Sequence, residues 1–163
     1  MSTKRIRDHR GFFQSDSNYV ERALALWKPT SFELSEKQQE NALFAWLRQC
    51  LPDVPMIAQY GLAKGRADIV IEEKHLIELK LGFTADKVAD FDRCIGQMER
   101  YKQKWVKKRT GPVYLLVVGE SDPEFRDLLH VWFGEANSDA ATWTTLLDDS
   151  SPFTLIELAP PRA

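Results

Sequence analysis

The sequence predicts an α/β domain in which a central mixed sheet is flanked by helices, in the order αβββαβ. Three observations carry this. Residues 55–60 and the stretch GRADIVIEEKHLIELK at 65–80 hold three short strand-like runs separated by turn sequence. Apolar residues recur at helical spacing both before and after these runs. Residues 113–118 are continuously apolar, the pattern of a central strand covered on both faces. The 163 residues are 44% hydrophobic and 28% charged, which suits one soluble domain with a full core and excludes disordered and collagen-like chains. No apolar run approaches the ~18 residues of a membrane span. Residues 1–10 lack an apolar signal core, so the expectation is a single cytoplasmic domain over 1–163 with no membrane partner.

In chain order, Lys4, Arg5, Arg7 and Arg10 make a basic arm, and residues 15–27 read as a short helix turning Tyr19, Ala23, Leu26 and Trp27 to the core before Lys28-Pro29 stops it. Residues 1–30 are thus an arm and an accessory helix. Ser35 is the expected N-cap of a helix running to about Gln49, with Ala42, Leu43, Phe44, Trp46 and Leu47 apolar and Pro52 beyond its end. Glu40 falls on the inner side of that helix, because Leu43, Phe44 and Leu47 lie three, four and seven residues on. An acid facing a cleft and a glutamate snorkelling at the edge of the apolar face both satisfy this position.

The three strands form a meander with turns at 61–65 and about 72–75. A long helix is expected from Thr84 to about Lys108, with Phe91, Cys94, Ile95, Met98, Tyr101 and Trp105 on its inner side, and Gly111-Pro112 ends it. After the buried strand, Asp122-Pro123 opens a helix with Phe125, Leu128, Leu129 and Trp132 as its stripe. A short helix near 140–147 and a strand at 153–158 complete an acidic C-terminal region, 120–163. Cys50 and Cys94 sit inside helices without metal-ligand spacing, and His9, His75 and His130 are scattered, which argues for reduced core thiols and against a zinc site.

The net charge of −2 conceals a division: residues 119–163 carry nine acids and two arginines, a net of −7, leaving +5 on residues 1–118. Arg100, Lys102, Lys104, Lys107, Lys108 and Arg109 form an acid-free run interleaved with Tyr101 and Trp105. Such a run can neutralise phosphates; it can also be a solvated helix end whose cations favour the C-terminal dipole.

Within the central stretch, Glu78 and Lys80 are two residues apart and share one strand face, while Ile77, Leu79 and Leu81 take the other. Asp68 joins them only if it stands opposite one of them, since directly opposed residues share a face. That requires an odd number of residues in the connecting turn, or a bulge. A carboxylate and an ammonium on a half-buried strand are costly without partners, and metal binding with phosphodiester chemistry would supply them.

This arrangement, with Asp68 on the second strand and Glu78-Leu79-Lys80 on the third, resembles the PD-(D/E)xK nuclease superfamily, the restriction-endonuclease-like fold, over about residues 35–119. Ala67 stands where the family's name has proline. Gln97 and Tyr101, four apart on one helical face, are similar to the Gln-x-x-x-Tyr pair of the RecB-type subgroup. The resemblance implies a Mg²⁺- or Mn²⁺-dependent phosphodiester hydrolase acting on DNA rather than RNA. Asp68, Glu78, the Leu79 carbonyl and Glu40 would hold the metal. Lys80 would orient or deprotonate the attacking water and stabilise the developing charge, and Gln97 and Tyr101 would steady Lys80 or the phosphate. Pairing of two copies is left open. The rival expectation is a noncatalytic nucleic-acid-binding or assembly module on the same fold.

Overall fold

The structure is a computed structural model describing residues 19–62, 65–106, 111–133, 142–146 and 152–159, with the backbone alone at 106, 142–146 and 152. Helices α1 (Tyr19–Leu26) and α2 (Glu36–Cys50) precede the meander β1 (Met56–Gly61), β2 (Arg66–Ile71) and β3 (His75–Leu81). Helix α3 (Val88–Tyr101), strand β4 (Val113–Val118), helix α4 (Pro123–Phe133) and strands β5 (Thr142–Leu146) and β6 (Pro152–Leu158) follow. The six strands form one mixed sheet in the order β1-β2-β3-β4-β6-β5. Pairing is antiparallel through β1, β2 and β3, parallel from β3 to β4 to β6, and antiparallel again between β6 and β5.

Local chemistry accounts for the elements that matter most to the site. Helix α2 starts in a capping box: the Gln38 N–H donates to Ser35 Oγ at 3.2 Å and the Ser35 N–H to Gln38 Oε1 at 2.9 Å, satisfying two donors that a helix start leaves open. The β2–β3 turn consists of residues 72–74, an odd number, with Glu72 and Glu73 both left-handed (φ 54° and 55°). Its register, Ile71↔His75, Val70↔Leu76 and Ile69↔Ile77, sorts the side chains by face. Ile69, Ile71, Ile77 and Leu79 pack with Leu43 and Leu47 of α2 and Val20 and Leu24 of α1. Val70, Leu76, Leu115 and Val117 pack with Phe91 and Met98 of α3 and Leu129 and Phe133 of α4. All six residues of β4 are buried, as expected for a strand covered on both sides.

Several expectations need correction. The segment expected as a helix near 140–147 is a strand at Thr142–Leu146, paired antiparallel with β6; its run of threonines and a tryptophan has high strand propensity, and β6 offers it an open edge. In α1, Leu26 is 54% exposed, and Val20 and Leu24 fill the core instead. In α4, Leu128 is 54% exposed, and Phe133 is buried beside Phe125 and Leu129 in its place. The long helix after β3 is not uniform: a 3₁₀ turn at Ala85–Lys87 leads into α3, and a π-helical turn, Lys102–Val106, follows it. Both cysteines are free and buried. The basic arm and residues 15–18 lie outside the described residues. Among the described residues no helix is long and apolar enough to cross a membrane.

Candidate functional site

The site lies where the β2–β3 ladder stops. Regular pairing ends at Ile69↔Ile77, and by the same register the next opposed pair is Asp68 and Glu78. There side chains take over from backbone. The Leu79 N–H, which points towards β2, donates to Asp68 Oδ2 at 2.8 Å. The Asp68 N–H donates to Glu78 Oε1 at 3.3 Å. Because a strand residue exposes its N–H and C=O on the same edge, the Leu79 carbonyl also leaves β3 towards Asp68.

From α3, the Tyr101 hydroxyl donates to Glu78 Oε1 at 2.7 Å. Lys80, on the same face of β3, places Nζ 3.8 Å from Glu78 Oε2. The three-residue turn therefore brings together Asp68, Glu78 and Lys80 as their spacing requires, and α3 adds Tyr101, bonded to Glu78 rather than to Lys80.

The electrostatics of this cluster are unfavourable for the two acids. Glu78 is 1% exposed; burial raises its pKa and the Asp68 charge raises it further, against Lys80 and the Tyr101 bond, which lower it. Burial likewise raises Asp68; the Leu79 N–H works against the rise and the Glu40 charge adds to it. The two carboxyl groups are close enough to share a proton. For Lys80, burial disfavours the charge, but Glu78, Glu36, Cys94 and Asp68 outweigh it and hold the ammonium above its usual value. Burial, then the charge of Glu78, pushes the Tyr101 phenol well above its ordinary range, which keeps it a donor. Cys94, close enough to feel Lys80 and Glu78, is pushed up to about 12 by burial and is an inert thiol at neutral pH.

Glu40 is buried at 6% exposure on α2, on the far side of the sheet from α3. It accepts from Gln59 Nε2 of β1 and lies 3.5 Å from Lys37 Nζ. Gln59 and Glu36 were not anticipated. Glu36 precedes Glu40 by one helical turn, so the i, i+4 rule could have placed it on the same face; nothing in the sequence marks Gln59. Glu36 and Lys80 line a cleft of about 320 Å³ with Gly82, Phe83, Lys87 and Arg93.

The other expected residues divide. Gln97 Oε1 is buried and has no hydrogen-bond partner, so no bond ties it to Lys80. Of the basic run, Arg100 and Lys104 are exposed and Lys102 stands 5.4 Å over the Trp132 ring; Lys107, Lys108 and Arg109 lie outside the described residues.

Compared with protein-family models, curated proteins and solved structures, the chain matches none. The site is therefore judged on its chemistry. Among the described residues no three His, Cys, Asp or Glu side chains gather into a metal-ligand group. The local donor set is two carboxylates and a backbone carbonyl. These are hard oxygen donors, the type Mg²⁺ and Mn²⁺ prefer. Two adjacent carboxyls, one buried and one half-buried, that resist ionising together can exchange a shared proton for a cation, so the residues present fit such an ion.

Proposed function

We propose that this chain is a divalent-metal-dependent nuclease built on a restriction-endonuclease-like core of the PD-(D/E)xK type, hydrolysing phosphodiester bonds of DNA. The observation that carries the reading is the placement of Asp68 and Glu78. They are opposed at the end of the ladder, Glu78 buried and Asp68 half-buried, beside an ammonium, on the sheet face that packs Val70, Leu76, Leu115 and Val117. A fold has no structural need for two repelling carboxylates there. The preference for DNA over RNA comes from the family resemblance.

Asp68, Glu78 and the Leu79 carbonyl would hold Mg²⁺ or Mn²⁺, with Glu40 as the neighbouring acid. Bound there, the ion would supply Lewis-acid activation of a phosphoryl oxygen or water. The chain's own groups do the rest. Lys80, held as an ammonium, is a positive charge for the phosphate and its developing negative charge, and not a proton acceptor in this arrangement. Tyr101 fixes the orientation of Glu78 through its 2.7 Å bond. The cleft beside Lys80 is lined by Lys87 and by Arg93, which pairs with Asp90 of the same lining at 3.0 Å, and Arg100, Lys102 and Lys104, with Lys107, Lys108 and Arg109 of the same run, would meet phosphates of the backbone.

One observation favours the noncatalytic binding module: Glu78 is almost fully buried and already bonded to Tyr101, as a purely structural glutamate would be. Incubation of labelled single-stranded, duplex and branched DNA and RNA with Mn²⁺ separates the two. The nuclease reading expects cleavage by the wild type and a ~100-fold or greater loss in Lys80→Ala, the scale for removing an electrostatic stabiliser. Binding without cleavage by the wild type makes it a binding module, and normal cleavage by Lys80→Ala takes Lys80 out of the catalytic reading.

A further inference from the structure

Strand β1 has six residues, and five of them pair with β2: Met56, Ile57 and Ala58 before Gln59, and Tyr60 and Gly61 after it. Gln59 is passed over. The register does not slip across it, since Ala58 faces Ile69 and Tyr60 faces Ala67. It is therefore not an inserted bulge residue but one turned in place, and the position it would face is Asp68. Its φ is 54°, a left-handed conformation that is uncommon for a non-glycine residue and costs free energy within a strand. Such a conformation persists only where the surroundings hold it, and it clusters at sites where it has a use.

What the turn achieves is visible at the side-chain end. Gln59 Nε2 donates to Glu40 Oε1. Glu40 is buried on the same helix as the fully buried Leu43 and Leu47, where a carboxylate needs donors. Its ion-pair partner is Lys37, whose Nζ is 3.5 Å away on a largely exposed side chain. Glu40 is also near enough for its charge to be felt at Asp68. Helix α2 and the Tyr101-bearing α3 cover opposite faces of the sheet, so the acid of α2 approaches the Asp68–Glu78 pair from the side away from Tyr101. Gln59, across from Asp68 on the other neighbouring strand, is placed to hold it there.

We infer that Gln59 is a positioning residue of the cation site, its amide holding the Glu40 carboxylate on the Asp68 side of α2, from where its charge would favour a cation held by Asp68 and Glu78. This rests on the nuclease reading of the same acids. It assigns to β1 a function that neither the motif residues nor the helical acid carries alone.

The test is Mn²⁺ binding by calorimetry, with the thermal midpoint of each metal-free protein measured beside it. Gln59→Gly accepts the same backbone conformation and deletes the amide; Gln59→Asn tolerates the left-handed region and shortens the side chain by one carbon, serving if the glycine variant does not fold. Either should weaken Mn²⁺ binding about 10-fold or more, the usual effect of losing a group that orients a ligand. Glu40→Gln should weaken it comparably, and Gln59→Gly combined with Glu40→Gln should be no weaker than Glu40→Gln alone. A purely structural Gln59 would lower the midpoint and leave Mn²⁺ affinity within twofold of wild type, which overturns the inference, as would losses that multiply in the double variant. If the wild type binds and cleaves while the folded Gln59 variants match it, this inference alone falls. If the wild type binds no Mn²⁺, the nuclease reading falls with it.

Discussion

At its turn end the β2–β3 hairpin is held by backbone pairs, Ile71 with His75 and Ile69 with Ile77, whereas at its other end the carboxylates of Asp68 and Glu78 take N–H groups from the opposing strand. Each end buries a titratable group, with opposite results. His75 at the turn is neutral, set edge-on to Tyr19 at 5.4 Å and stacked near Tyr114 at 6.1 Å, with its Nδ1 3.4 Å from the Tyr114 hydroxyl. It is an aromatic ring in an aromatic site, and its polar edge has a partner. Asp68 and Glu78 are acids whose ionised forms oppose each other in the same low-dielectric surroundings. The turn end satisfies its buried titratable group, whereas a few residues along the same strands the other end holds two carboxylates that oppose each other's ionisation, which is the arrangement the cation proposal rests on.

The largest expected effect separates neighbours on β3. Ile77→Ala removes a fully buried side chain and should cost about 2–5 kcal/mol. Glu78→Gln, one residue on, keeps the shape, still accepts the Tyr101 hydroxyl and removes a charge that burial and Asp68 oppose, so its stability without metal should equal or exceed wild type. Urea melts in chelator at pH 8 measure both. A Glu78→Gln loss as large as that of Ile77→Ala would break the contrast between the two ends.

The pH dependence of stability should have two limbs of opposite sign. Burial, aided by Lys74, lowers His75 from 6.5 to about 4. As pH falls below 6.5 the unfolded chain takes up a proton that the folded chain refuses. The His75 contribution, full above that value, is then lost at up to about 1.4 kcal/mol per pH unit until about pH 4. The acid pair behaves the other way. Its folded pKa values are raised, so its contribution is present below the unfolded values and is lost as pH rises through the folded ones. His75→Phe should remove the loss that acidification brings between pH 6.5 and about 4, and Glu78→Gln the opposing loss that rising pH brings from about 4.5 to about 8, in melts run from pH 4 to 9 without metal. The two windows overlap below pH 6.5 and the variants separate them. A single variant that removed both losses would mean the ends are coupled.

A smaller effect concerns the binding of substrate away from either end. Replacing Arg100, Lys102 or Lys104 by Gln should reduce the log–log salt slope of DNA binding by about one unit for each phosphate that the variant no longer neutralises, read by fluorescence anisotropy across a salt series. An unchanged slope would leave the run as a solvated helix end.

The parts of this molecule written in short-range chemistry were legible in the sequence. Ser35 and Gln38 spell out a capping box, Val113–Val118 reads as a doubly covered strand, and the two-residue spacing of Glu78 and Lys80 places them on one face whatever the rest of the chain does. The parity argument for Asp68 was equally local once the turn had three residues. What escaped the sequence depends on partners far along the chain. Thr142–Leu146 is a strand because β6 presents an edge to it; Leu26 and Leu128 face outward because Val20, Leu24 and Phe133 occupy the core in their place. The left-handed turn of Gln59 has no glycine or asparagine to announce it, and its reason, a buried Glu40, lies on another element. Gln97 matched a motif by spacing, yet its carbonyl oxygen has no partner, since spacing fixes a helical face and not a hydrogen bond.

The central claim is that the open end of the hairpin is a cation site, and Mn²⁺ titration by calorimetry of wild type, Glu78→Ala and Lys80→Ala tests it most directly. Removing Glu78 deletes one of the two opposed carboxylates; removing Lys80 leaves both and takes away a competing positive charge. The expected result is saturable binding by wild type, binding at least as tight by Lys80→Ala, and none by Glu78→Ala. No binding by folded wild type, or unchanged binding by Glu78→Ala, would contradict the account.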